Sequence, residues 1–170
     1  MSSDVVASSV AASGSTASLI DVVLHDQPDV AGHLRDAHDA AWSAVDPVLL
    51  ELCRLRIAQL LGCDAEAGSR TAVAVAAGLD ETTIGELPAW PTSPRFGVRE
   101  RACLAFCEQF VIDVAGLDDA LAAQVNEQLG DQGLVDFVSA LLVVEQRQRL
   151  RLGWGRLLDS DTRTRTAGPL

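Results

Sequence analysis

Four residues within one short stretch carry the chemistry this sequence offers: Glu51, Cys63, Glu66 and Arg70. Glu51 lies in DPVLLELCRLRIAQLLG, where apolar side chains point in nearly every direction around a helix axis. A carboxylate on a helix that is apolar almost all round needs a partner or a task. Burial favours its neutral form, which can shuttle a proton, whereas Arg54 at i+3 or Arg70 across a helix pair favours an anchored counter-ion. The sequence leaves both roles open. Cys63 stands at the start of a predicted helix, where the backbone dipole stabilises a thiolate. Asp64 and Glu66 lie within a turn and disfavour a second anion, so an ordinary thiol is expected there. Glu66 and Arg70 are spaced i,i+4 in the acid-then-base order that favours a helical ion pair.

The elements that must position these residues follow from breaks and caps. Asp46 suits an N-cap, Pro47 the first helical position and Gly62 a helix stop. A second helix is expected from Asp64 to Gly78, opening in acidic residues. Before this pair, Pro28 begins a helical pattern with Val30, Leu34, Ala37, Ala41 and Trp42 inward. After it, Asp80 caps a short helix over 81–87, and PAWPTSP reads as a loop. A long helix is expected over 98–114 with Ala102, Ala105, Phe106, Gln109, Phe110 and Asp113 along one side. Another runs from Asp118 to about 129, broken at Gly130-Asp131, and a last one from about 133 to 157. Trp154, between two glycines, weakens the helical pattern there. No stretch alternates like a strand, so the fold class is all-α, a single-domain bundle of roughly six to eight helices. Residues 1–18 are Ser/Ala-rich and read as a mobile segment, 19–158 as the domain, and 159–170 as a disordered polar tail.

The stretch around Glu51 and Cys63 resembles the carboxymuconolactone decarboxylase and alkylhydroperoxidase D-like superfamily. Its redox members carry a Glu on one helix, then Gly-Cys-x-x-Cys-x-x-x-His opening the next. Glu51 stands twelve residues before Cys63, and Gly62-Cys63 matches the Gly-Cys. The second Cys of the motif falls on Glu66 and the His on Arg70, so the motif is degenerate. GLDETTIGEL and SPRFGVRERACLAF look like the family's loop and following helix, and the resemblance covers roughly residues 30–158. It implies a helical bundle of the alkylhydroperoxidase D-like type that assembles as trimers or hexamers. It also implies a site of Glu51, Cys63, Glu66 and Arg70, with Arg70 expected to meet both carboxylates as one charge cluster.

Other chemistries find little support. Cys53, Cys103 and Cys107 sit inside predicted helices and read as small buried hydrophobes. Cys103 and Cys107 are one turn apart on one helix, a spacing at which rigid-helix cysteines do not usually bridge. Histidines occur only before residue 40 and no Cys/His spacing suits zinc, so no metal is expected; Gly-rich phosphate loops are absent and no cofactor is expected. A net charge of −11 and a pI near 4.5 argue against a nucleic-acid partner. No apolar run reaches the length of a membrane span, and a poor signal-peptide pattern makes the cytoplasm the default location. Arg147, Arg149, Arg151 and Arg156 could bind an anionic ligand or a partner's acids, but such a run is more often a solvated helix face or a subunit seam.

Two function classes remain. One is a divergent enzyme using Glu51, Cys63, Glu66 and Arg70 for cofactor-free acid/base chemistry on a small organic acid, or for residual single-cysteine peroxide reduction. The other is a non-catalytic homo-oligomeric binding or assembly module that keeps the fold. A closed Glu66–Arg70 pair without a cavity favours the module; an open polar cavity favours the enzyme.

Overall fold

A computed structural model describes residues 22–166, with side chains through residue 156. The expectations for residues 1–21 and 167–170 lie outside the described residues. The described chain is an all-α domain.

Its first helices follow from their caps. Helix α1 (Pro28–Ala44) opens on a proline with Asp29 in its first turn. Helix α2 (Pro47–Leu61) is capped by Asp46, whose carboxylate accepts from the backbone N–H of Val48 and Leu49 at 2.9 and 3.1 Å. Gly62 ends it in the left-handed region at φ 66°, a conformation that disfavours side chains with a Cβ. Every residue from Leu49 to Leu55 is buried, so α2 is the central helix, packed on by α1, α6 and α7. Each fully buried Leu or Ile there contributes about 1.5–3 kcal/mol.

The segment after Gly62 departs from the expected single helix. It is two short pieces, α3 (Asp64–Ala67) and α4 (Ala72–Ala76), with Gly68–Thr71 irregular between them. Helix α5 (Glu81–Gly85) is capped by Asp80, whose carboxylate accepts from Thr83 N–H at 2.6 Å. A 3₁₀ turn (Leu87–Ala89) takes up part of the expected loop.

Helix α6 (Val98–Ile112) buries Ala102, Cys103, Leu104, Phe106 and Cys107. The expected inward line through Ala105, Gln109 and Asp113 is therefore rotated: Ala105 and Gln109 are half-buried and Asp113 is exposed. The two buried cysteines explain the shift, since small apolar thiols let α6 approach α2 closely; Cys107 Sγ donates to the Cys53 carbonyl at 3.7 Å. Helix α7 (Asp119–Thr166) is interrupted at Gly130 (φ 75°), dividing it at the expected break into 119–129 and 131–166. Gly153 and Gly155 do not interrupt the second part, which continues past the expected stop near 157 to Thr166. Phe137 and Leu141 on that part close the core against Phe106, whose ring lies 6.0 Å from that of Phe137. No strand occurs among the described residues, and no helix among them is long and apolar enough to cross a membrane.

Candidate functional site

The structure brings Glu51 and Glu66 together, but around Arg54. Glu51 is fully buried, and Arg54 and Glu66 are nearly so. Because Glu51 and Arg54 are one turn apart on a helix buried on all sides, they share the face turned toward α3. Arg54 Nε donates to Glu51 Oε2 and its Nη2 to Glu51 Oε1, both at 2.8 Å, a two-pronged pair. Arg54 Nη1 donates to Glu66 Oε2 at 2.7 Å.

The same guanidinium holds the chain between α3 and α4. Arg54 donates to the carbonyl of Glu66 at 3.0 Å and to that of Ser69 at 2.8 Å. Carbonyls at a helix end lack intrahelical partners, and a cation is well placed to take them. Thr71 completes the set from the other side: its backbone N–H reaches Glu51 Oε1 at 3.1 Å and its hydroxyl reaches Oε2 at 3.0 Å. Each carboxylate oxygen of Glu51 thus accepts two hydrogen bonds. Burial opposes the charge on Arg54, and the bonds and charges of Glu51 and Glu66 outweigh it, so its pKa is raised further. Arg151 adds a guanidinium nitrogen 3.8 Å from Glu66 Oε1.

Arg70 does not belong to this cluster, contrary to expectation. With the helix broken at Gly68, the i,i+4 relation between Glu66 and Arg70 no longer exists. Arg70 instead donates through Nε and Nη2 to Glu81 at 2.8 and 3.0 Å, and through Nη1 to the carbonyls of Ala67 and Ser69. Cys63 is buried at the start of α3 with a free thiol. Its carbonyl accepts from the N–H of Glu66 and Ala67.

The other thiols lie in the seam between α2 and α6. A hydrogen bond with Cys107, then burial, pushes the Cys53 thiol well up, and burial pushes Cys103 up to about 12. Among the described residues, no group of three or more Cys, His, Asp or Glu could hold a metal ion.

Residues missed in the sequence complete the surroundings: Ser69, Thr71, His38 and Gln148. Gln148, nearly fully buried, donates to the Arg54 carbonyl at 2.8 Å. The local signals for Ser69 and Thr71 are Gly68, which ends α3, and the cap-type Thr71 before AVAVA, which opens α4. His38, on α1, is held down to about 4 by burial and the Arg147 charge, against the opposing charges of Asp39 and Glu66. Unfolded, this imidazole takes a proton near the ordinary histidine value of 6.5. The unfolded chain then binds more protons, so stability is full above that pH and falls as the pH drops toward 4. Discounted for the half-exposed ring, the loss is about 1–2 kcal/mol. Urea denaturation at pH 7 and pH 4.5 should show a smaller acid loss for His38→Phe than for the wild type; equal losses would contradict this placement.

Against this geometry stand the known proteins. The profile of the carboxymuconolactone decarboxylase family matches residues 23–109. Two uncharacterized proteins of Mycobacterium tuberculosis, from strains CDC 1551 and H37Rv, are each 33% identical over 97 residues, 57% of this chain. The matched segment is 34% of their length, so the chain spans about a third of the curated relatives it matches. Among solved structures, a protein of unknown function from Agrobacterium tumefaciens, proposed as an AhpD-type antioxidant defence protein, superposes with a TM-score of 0.67. That match covers 78% of this chain and 92% of the other at 19% identity, which is a likeness of fold.

Proposed function

The chain belongs to the carboxymuconolactone decarboxylase family, and from that premise we propose that its thiol–imidazole site has become a buried ion-pair lock, leaving a non-catalytic binding or assembly module. One observation carries this reading: the carboxylate of Glu51 accepts four hydrogen bonds from Arg54 and Thr71, two on each oxygen. A carboxylate so engaged has little capacity left to take a proton from a substrate. Glu66 is likewise tied to Arg54, and a glutamate cannot resolve an oxidised Cys63. The lock joins α2 to the chain between α3 and α4, so its role is to fix that segment. The alternatives, acid/base chemistry on a small organic acid at Glu51, Cys63, Glu66 and Arg70 or single-cysteine peroxide reduction, lack a free base and a charge partner from Arg70.

The module works as a homo-oligomer, a trimer or hexamer. Val135 and Leu142, seven residues apart on one face of α7 and both exposed, support this, since a second copy would cover that face. The test pairs a thiol-coupled peroxide assay of the full chain with sedimentation. The expected result is turnover no higher than that of Cys63→Ser, and a homo-oligomer. Turnover that Cys63→Ser abolishes, or a monomer at micromolar concentration, contradicts the reading.

A further inference from the structure

A cavity of about 300 Å³ lies between α6 and the 119–129 part of α7, lined by none of the residues of the lock. We infer that it binds a small zwitterion with an apolar body, the charge pattern of a free apolar amino acid. This goes beyond the proposed function and does not depend on it.

The volume stands at the lower end of small-molecule sites, roughly 300–1,000 Å³. Its apolar wall is Trp90, Ala102 and Ala105. The alanines leave room beside α6 that larger side chains would fill. Trp90 is held in one orientation: its indole N–H donates to Glu108 Oε1 at 2.7 Å, and that oxygen also accepts from Arg56 Nε. An immobile ring presents a fixed face to a ligand.

The polar wall carries both signs of charge. Arg101 donates through Nη2 to the Ser93 carbonyl at 2.7 Å, which fixes the guanidinium. Glu127 lines the same cavity from the facing helix, with Gln124 one turn before it. Neither Arg101 nor Glu127 takes part in an ion pair among the described residues. Opposite charges that border one cavity without meeting fit a ligand that carries both signs. The carboxylate meets the guanidinium of Arg101, the ammonium turns to Glu127, and the apolar body lies on Trp90 and the alanines.

The experiment uses the full ¹⁵N-labelled chain titrated with L-leucine and L-phenylalanine. Half-ligands serve as comparison: 4-methylpentanoate lacks the ammonium and 3-methylbutylamine lacks the carboxylate. Both amino acids should shift the Trp90 indole N–H and the backbone signals of Ala102 and Ala105. Arg101→Gln should weaken binding about tenfold, as expected for loss of a charge-assisted hydrogen bond. Glu127→Gln, an exposed change that spares the fold, should weaken it about threefold. Ala105→Phe should abolish it. The inference is overturned if neither amino acid shifts these signals at tens of millimolar, if the half-ligands bind as well as the zwitterions, or if Ala105→Phe and Glu127→Gln leave binding unchanged.

Discussion

Arg54→Ala should destabilise the protein by about 3–5 kcal/mol, the cost typical of removing one partner from a buried ion pair. Two buried carboxylates, Glu51 and Glu66, would lose their shared cation, and the carbonyls of Glu66 and Ser69 would lose a donor. For a domain of this size such a loss lowers Tm by about 10 °C. Arg70→Ala should cost clearly less, because Glu81 is largely exposed, solvent screens that pair, and the variant buries no uncompensated charge. Urea denaturation of the two variants checks the contrast. Equal losses would mean that Arg54 is not the centre of the site.

A second large effect is an expected absence of disulfide chemistry at Cys63. Mild peroxide treatment followed by peptide mapping should find no disulfide between Cys63 and another cysteine of the same chain. Three residues after Cys63 the chain holds Glu66, no thiol, and that side chain is buried and bound to Arg54. Cys53 and Cys107 are committed to the α2–α6 seam, where Cys107 Sγ bonds the Cys53 carbonyl. The raised thiols of Cys53 and Cys103 leave almost no thiolate at neutral pH, and the thiolate is the nucleophile. A Cys63 disulfide within one chain would show that the segment opens far enough to bring these thiols together.

Helix boundaries set by local chemistry were legible in the sequence. Asp46-Pro47 and Gly62 bound α2 because a cap, a proline and a left-handed glycine act through their own backbone. Gly130 breaks α7 for the same reason. The break between α3 and α4 was only weakly marked, because AEAGSRTAVAVAAG lacks a proline and carries just Gly68 and the cap-type Thr71. A tertiary partner decides it: Arg54, from α2, takes the carbonyls of Glu66 and Ser69, and the chain leaves the helix there. The choice of Arg70 over Arg54 failed for the same cause, since the i,i+4 spacing presumed an unbroken helix. Glu51 was legible as a buried acid needing compensation, and its partner lay one turn away on the same buried face.

The most direct test of the lock is a double-mutant cycle on Glu51 and Arg54, measured by urea denaturation at neutral pH. Glu51→Gln alone and Arg54→Ala alone should each be strongly destabilising. The double variant should recover a large part of the summed loss, with a coupling energy of about 2 kcal/mol. Additive losses would contradict the account, because they would show that the two side chains do not hold one another in the folded protein.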